Sequence, residues 1–132
     1  MAVIGMESSA HTFGVGIVEK GKVLSNIKAM YPISDKGIIP AEVAEFHSRN
    51  ADKVIKESLD AAGISTGEVD AVGYTKGPGL GPCLSIAFHA SAKLSKSLRV
   101  PLIPVNHAMA HIEIAKNISG FEDPIVLYVS GA

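Results

Sequence analysis

Short apolar stretches separated by polar turns occupy the first thirty or so residues of the chain. Ala2–Met6 and Phe13–Val18 have the length of strands, and the polar residues Glu7–His11 between them predict a tight hairpin. A second turn is predicted from Glu19 to Lys22, followed by a strand from Val23 to Met30. Three antiparallel strands are therefore expected at the start of the chain.

Helical spacing of apolar residues begins after this meander. Pro40 suits the first turn of a helix, Val43 and Val54 fall on one face, and Gly63 predicts its end after Ala62. The rest of the pattern predicts, in order, a strand at Asp70–Thr75, a helix at Cys83–Leu98, a strand at Leu102–Val105, a helix capped by Asn106 and ending near Lys116, and a strand at Ile125–Val129.

This order of elements predicts an α/β fold with a mixed sheet. Strands that alternate with helices pair in parallel, whereas the opening meander adds antiparallel strands. The order resembles a ribonuclease-H-like lobe of the actin-like ATPase type, with a mixed five-stranded sheet and helices on its faces. We expect residues 1–117 to form this lobe and residues 118–132 to be a linker and the first strand of a second lobe.

Composition narrows the classes of protein. A length of 132 residues suits one domain, and 12 Lys and Arg against 13 Asp and Glu, without a block of like charges, do not indicate a dedicated nucleic-acid face. The single cysteine, Cys83, cannot form an intrachain disulfide, and no apolar stretch approaches the roughly 20 residues of a membrane span. We expect a cytoplasmic protein that does not enter the membrane.

His107 and His111 are the strongest candidates for chemistry. Their four-residue spacing places both imidazoles on one face of a helix, where they can share a metal ion or simply pack as a histidine pair. Further donors could come from Tyr128, from Glu113 or from residues outside the chain. A zinc peptidase helix carries a glutamate after its first histidine, but Ala108 stands there, so peptidase chemistry would lack its base.

Two other segments are candidate phosphate sites. The loop Gly77–Pro82 lies between a strand and a helix, where backbone N–H groups can face an anion and Lys76 could reach a phosphate. The same loop can instead be a tight turn that lets helix and sheet approach closely. Glu7, Ser8 and Ser9 lie where actin-like lobes hold nucleotide phosphates, although an ordinary polar turn has the same composition.

Four motifs in order produce a family resemblance: Gly5–Ser9, Lys76–Gly81, Pro104–Glu113 and Leu127–Gly131. Together they resemble the universal tRNA threonylcarbamoyltransferase family, TsaD and its archaeal and eukaryotic KEOPS counterpart. The resemblance covers essentially the whole chain. It implies an actin-like protein of two lobes, in which this chain is the N-terminal lobe and is inactive alone.

The resemblance also implies a reaction and a site. Such proteins transfer a threonylcarbamoyl group from threonylcarbamoyl-AMP, which is made from ATP, to N6 of adenosine 37 in tRNAs that decode ANN codons. One iron or zinc ion would be held by His107, His111, Tyr128 and an aspartate of the second lobe. Tyr128, Val129, Ser130 and Gly131 would line the adenylate site, and Ala132 departs from the family pattern, which has a second glycine there. Glu7, Ser8, Ser9 and Lys76 remain further candidates for binding this substrate.

Partners follow from the same resemblance. The small dimerising subunit of KEOPS would dock on the two helices predicted at Pro40–Ala62 and Cys83–Leu98. The kinase-like subunit would need the second lobe, and tRNA would bind the complete complex. Three alternatives stay open, namely a non-catalytic scaffold lobe that binds a KEOPS partner, an actin-like ATPase lobe and a metallopeptidase.

Overall fold

A five-stranded mixed sheet forms the centre of the fold. A computed structural model describes residues 1–32 and 37–129, with strands β1 (Ala2–Glu7), β2 (Thr12–Glu19), β3 (Lys22–Met30), β4 (Val69–Gly77) and β5 (Leu102–Asn106). Their spatial order is β3-β2-β1-β4-β5. The pairs β1–β2 and β2–β3 are antiparallel, whereas β1–β4 and β4–β5 are parallel. The predicted mixed five-stranded sheet is confirmed.

Three helices accompany the sheet: α1 (Pro40–Ala62), α2 (Gly81–Leu98) and α3 (His107–Ser119). The bounds of α1 agree with the prediction, because Pro40 occupies the first turn and Gly63 ends the helix in the left-handed region at φ 68°. Helix α2 begins two residues before the predicted start at Cys83. Helix α3 continues past Lys116 to Ser119 because Gly120, at φ 74°, supplies its left-handed end.

The core lies between one face of the sheet and helices α1 and α2. Alternation along β1 and β2 directs Ile4, Met6 and Phe13 to this face, where Val54 of α1 and Ala87 of α2 join the same buried cluster. Of the helices in the described residues, none is long and apolar enough to cross a membrane.

Helix α3 lies against the opposite face of the sheet. Glu7, which follows buried Met6 and therefore faces the other way, contacts His107 at the start of this helix. Near its other end, Asn117 donates a hydrogen bond of 3.1 Å to the carbonyl oxygen of Gly21, in the turn between β2 and β3. The helix thus runs across this face of the sheet from the end of β5 to the turn between β2 and β3.

The predicted strand at Ile125–Val129 is wrong for the structure as described. These residues adopt no regular secondary structure, and Ile125 and Leu127 are almost completely exposed, at 104% and 87%. An apolar run becomes a strand only where another strand accepts its backbone hydrogen bonds, and none of the five described strands pairs with it. The division of the chain at residue 117 stays a prediction.

Candidate metal centre

The start of α3 is fixed by an asparagine cap. The Asn106 side-chain oxygen accepts hydrogen bonds from the backbone N–H groups of Ala108, at 2.9 Å, and Met109, at 3.2 Å. This satisfies two of the N–H groups that have no partner within the helix. The predicted cap is confirmed, and it makes His107 the first helical residue.

His107 and His111 face each other one turn apart. Their Nε2 atoms are 3.2 Å apart and their ring centroids 4.6 Å apart, with the ring planes nearly perpendicular. A zinc ion lies about 2.0–2.1 Å from an imidazole nitrogen, so one ion can contact both Nε2 atoms at this separation. The pairing expected from the sequence spacing is present in the structure.

Tyr128 lies beside this pair, although it is far away in the sequence. Its ring centroid is 5.7 Å from that of His111. Both histidines, Tyr128 and Val129 line one open depression of about 530 Å³. Glu113, the other candidate donor, instead lies 3.7 Å from the ammonium group of Lys116. Tyr128 is thus the candidate third donor that the fold brings to the histidines.

The donor set fits a transition metal but does not complete a site. Within residues 1–32 and 37–129, no group of three His, Cys, Asp or Glu side chains is placed to hold a metal ion. Two imidazoles and a tyrosine oxygen are donors that zinc and iron accept, and closed zinc sites have four ligands. His107, His111 and Tyr128 therefore suit three positions of a site that needs a further donor.

Glu7 lies beside the histidine pair. One carboxylate oxygen, Oε2, is 3.4 Å from Nδ1 of His107, on the side of the ring away from His111. The other, Oε1, accepts hydrogen bonds from the Ser9 N–H at 3.1 Å and from its hydroxyl at 2.9 Å. The strand pattern contains a signal for this placement, because Glu7 follows buried Met6 and must face the other side of β1.

Ser8 and Ser9 are buried in the first turn, with protein partners for their hydroxyl groups. The Ser8 hydroxyl donates to the carbonyl oxygen of Cys83 at 2.7 Å and accepts from the Ala87 N–H at 3.2 Å. The backbone carbonyl of Ser9 accepts a hydrogen bond of 2.8 Å from the Leu80 N–H. The turn is thereby joined to the start of α2, and a phosphate-binding role for the two serines stays a prediction.

Lys76 does not line the depression formed by the histidine pair and Tyr128. It is exposed at the end of β4, where it lines a separate depression of about 460 Å³ with Gly77, Pro104 and Asn106. Val129 is exposed beside Tyr128, whereas Ser130, Gly131 and Ala132 lie outside the described residues.

Two further reactive side chains, Cys83 and His47, are buried in the core. Burial raises the pKa of the Cys83 thiol, which favours the unreactive protonated form. His47 is fully buried and its Nε2 lies 2.7 Å from the carbonyl oxygen of Ala10. Burial also lowers the pKa of His47, which favours the neutral imidazole. Both side chains belong to the packing of the lobe.

Comparison with known proteins identifies relatives along the entire chain. A family model described as "TsaD: tRNA N6-adenosine threonylcarbamoyltransferase" matches residues 21–132. A protein of that name from Thermofilum pendens is 49% identical over 132 residues, covering 99% of this chain and 39% of the relative. One from Pyrobaculum islandicum is 46% identical, with 99% and 40% covered. A probable bifunctional tRNA threonylcarbamoyladenosine biosynthesis protein from Thermoplasma volcanium is 40% identical, with 99% and 25% covered.

Solved structures support the fold. YeaZ from Pseudomonas aeruginosa superposes with a TM-score of 0.71 at 19% identity, covering 90% of this chain and 50% of that one. ROK hexokinase from Thermus thermophilus gives 0.53 at 20% identity, with 89% and 38% covered. RuvC from Thermus thermophilus, in complex with a Holliday junction, also gives 0.53 at 14% identity, with 93% and 81% covered. The expected ribonuclease-H-like, actin-like fold is confirmed.

The sequence matches carry the assignment beyond the fold. The chain spans about two fifths of the length of the first two relatives. The family model covers most of the chain, and the resemblance drawn from the four motifs is confirmed. The chain belongs to the tRNA N6-adenosine threonylcarbamoyltransferase family.

Proposed function

We propose that this chain is the N-terminal lobe of a tRNA N6-threonylcarbamoyladenosine synthase. The complete protein would transfer a threonylcarbamoyl group from threonylcarbamoyl-AMP to N6 of adenosine 37 in ANN-decoding tRNAs. Membership of the family supports the reaction. The observation that carries the assignment of the site is the pair of Nε2 atoms of His107 and His111, 3.2 Å apart beside Tyr128.

In this reaction the lobe would hold a metal ion and orient the threonylcarbamoyl group beside it. His107, His111 and Tyr128 would hold one iron or zinc ion, which when bound supplies Lewis-acid polarisation of the threonylcarbamoyl group. Because both histidines lie on one capped helix, their separation is set by the helix and not by a loop. The depression beside them is open at exposed Leu127 and Val129, which leaves room for the substrate.

We propose that the adenylate binds along Tyr128–Gly131. Tyr128 and Val129 line the same depression as the histidines, so a nucleotide bound along this segment would lie next to the metal ligands. Ser130 and Gly131, which lie outside the described residues, are the further candidates for this binding. The second lobe would supply the remaining metal donor and the other side of the substrate site.

Metal titration tests this assignment directly. We expect zinc and iron to bind the protein in calorimetry and binding to be lost in a His107→Ala/His111→Ala double variant. The matched control is His89→Ala, which removes an exposed histidine of α2 whose Nδ1 contacts the Ser85 carbonyl at 2.6 Å. Equal metal affinity in the double variant would contradict the site. The reaction is tested in the assembled complex with unmodified tRNA. Loss of threonylcarbamoyl transfer in the His107→Ala/His111→Ala variant, with transfer retained in His89→Ala, would support it.

The groove between α1 and α2 is proposed as the docking site of the small dimerising subunit of KEOPS. This groove has a volume of about 330 Å³, with apolar residues along its floor and charged residues at its rim. The floor is formed by Ile55, Leu59, Ala90 and Leu94, and the rim includes Asp52, Lys56 and Lys93. An apolar groove between two helices suits an amphipathic helix of a partner. The kinase-like subunit would require the second lobe, and tRNA would bind the assembled complex.

A pair of adjacent substitutions tests this docking site. Ala90→Arg places a long charged side chain in the groove and is expected to abolish co-purification with the small subunit. His89→Arg, one residue earlier on an exposed position that does not line the groove, is expected to leave the complex intact. Retention of the complex by Ala90→Arg would place the partner elsewhere.

A further inference from the structure

The two carboxylate oxygens of Glu7 differ in their contacts: Oε1 accepts two hydrogen bonds from Ser9, whereas Oε2 accepts none among the described residues. Both hydrogen bonds from Ser9 reach the same oxygen, Oε1, at 3.1 Å from the backbone nitrogen and 2.9 Å from the hydroxyl. The carboxylate is therefore held in a defined orientation at the end of β1. Its second oxygen, Oε2, is left to meet a donor from another element.

This second oxygen is buried against the start of α3. Among the described residues, Glu7 Oε2 has no hydrogen-bond partner within bonding geometry, yet it lies only 3.4 Å from Nδ1 of His107. N–H···O bonds span about 2.7–3.2 Å, so a movement of a few tenths of an ångström closes this contact. A buried carboxylate oxygen without a donor costs free energy, which favours that movement.

We propose that Glu7 is a positioning residue for the metal site, a proposal that rests on the function proposed above. The Glu7 carboxylate accepts the Nδ1–H of His107 and thereby fixes the tautomer and the orientation of this imidazole. With the proton on Nδ1, the Nε2 atom carries the lone pair. That Nε2 is the atom 3.2 Å from Nε2 of His111, at the place where both rings can share one ion.

The arrangement has the chemistry of an outer-shell metal partner. Metal-binding histidines commonly donate their second ring N–H to a carboxylate, which sets the ring and raises its basicity as a ligand. A carboxylate is also a poor group for holding a phosphate, because the two charges repel. The position of Glu7 therefore favours support of His107 over the phosphate contact considered from the sequence.

Ser9 extends this support into the rest of the lobe. Ser9 is buried and its carbonyl oxygen accepts the Leu80 N–H at 2.8 Å, immediately before α2 begins. A chain of contacts thus runs from the start of α2 through Ser9 and Glu7 to His107 on α3. We expect removal of the Ser9 hydroxyl to weaken the orientation of Glu7 without removing its charge.

The test combines a tautomer measurement without metal and an affinity measurement with zinc alone. In the metal-free protein at about pH 8, well above the usual imidazole pKa, long-range proton–nitrogen spectra report which nitrogen of His107 carries the proton. We expect Nδ1–H in the wild type and loss of that preference in Glu7→Ala. Zinc affinity in Glu7→Ala is expected to fall about 10- to 100-fold, the usual effect of removing an outer-shell partner.

Two further variants distinguish the orientation of His107 by Glu7 from a folding defect and from an effect of net charge on zinc affinity. Glu7→Gln keeps the shape and a carbonyl acceptor, so it should retain the Nδ1–H tautomer and lose less affinity than Glu7→Ala. Glu113→Ala removes one carboxylate from α3 itself, where its contact is Lys116, and should change neither measurement. A fall in affinity equal to that of Glu7→Ala in this control would overturn the proposal and indicate an effect of net charge.

The outcomes for the two proposals are distinguishable. Unchanged tautomer and unchanged zinc affinity in folded Glu7→Ala would overturn the role of Glu7 while leaving the histidine pair as the metal site. Absence of zinc binding to the wild type would count against the metal site as proposed, whereas the tautomer of His107 would still report whether Glu7 accepts its proton.

Discussion

Gly79 lies against Ser9 so closely that a β-carbon on Gly79 would be 2.7 Å from the Ser9 carbonyl oxygen and 2.8 Å from the Ser9 β-carbon. The adjacent Leu80 N–H donates to that same carbonyl oxygen. The loop before α2 and the turn after β1 are therefore in direct backbone contact. This contact explains the glycine at position 79 and holds Ser9 where it can orient Glu7.

Gly79→Ala is predicted to destabilise the lobe by about 1–3 kcal/mol, because the added methyl group must displace backbone atoms of Ser9. The matched control is Gly81→Ala, two residues later, where an added β-carbon meets no atom within 4 Å outside its chain neighbours and the backbone of its own helix. The control should be neutral or stabilising by up to about 1 kcal/mol. Equal midpoints of denaturant unfolding for the two variants would show that the loop moves away freely.

Asn106→Ala is predicted to destabilise the protein by about 1 kcal/mol, because the first turn of α3 loses its side-chain cap. Zinc affinity should fall as well, since His107 is the first residue of that turn. Asn106→Asp keeps an oxygen acceptor and adds a negative charge at the helix N-terminus, so it should retain stability. Denaturant unfolding and zinc titration of the two variants check this prediction, and equal loss in both would contradict it.

The fold was predictable where local patterns decide it. Alternation in β1 and β2, Pro40 and Gly63 at the ends of α1, and the Asn106 cap each depend on residues close in sequence. The histidine pair was predictable for the same reason, because a spacing of four residues on a helix fixes the relative direction of two side chains.

Contacts between distant segments were not predictable in the same way. Glu7 and His107 meet because α3 crosses the sheet on the side opposite to α1 and α2, which depends on how the elements pack. The apolar run Ile125–Val129 shows the converse error, since its composition suits a strand but the described structure offers it no neighbour. Hydrophobic patterns specify which face is buried, whereas partners are set by packing.

Ser25 and Ser58 form a buried polar contact between β3 and α1. Their hydroxyl oxygens are 2.7 Å apart, and the Ser58 hydroxyl also donates to the Val15 carbonyl at 3.3 Å. Ser58→Ala should cost about 1–3 kcal/mol because it leaves the Ser25 hydroxyl buried without this partner. The Ser25→Ala/Ser58→Ala double variant should cost less than the sum of the single variants. Strict additivity in a double-mutant cycle would contradict the contact.

His47 makes the stability of the lobe dependent on pH. The imidazole is fully buried, with Phe13 and Phe46 against its ring and Ala10 accepting at Nε2. Burial is the largest effect on its pKa and lowers it, outweighing the opposing effects of the Ala10 carbonyl and of Glu7, while nearby His11 lowers it further. In the unfolded chain this imidazole has its ordinary pKa of 6.5, so it binds a proton at a pH where His47 of the folded chain is still neutral.

The free energy of unfolding should consequently fall as the pH drops below about 6.5 and should stop falling below the lowered pKa of the folded state. The contribution of one such group is at most about 1.4 kcal/mol per pH unit. His47→Gln keeps a donor for Ala10 but cannot be protonated in this range. The unfolding free energy of this variant should therefore depend less on pH, by the contribution of His47. His89→Gln removes an exposed imidazole and should keep the slope of the wild type. The measurement is urea unfolding between pH 5 and 7.5, which extends roughly one unit or more on either side of the usual imidazole pKa. If His47→Gln and the wild type had the same slope of unfolding free energy against pH, the acid sensitivity would have to arise from other groups.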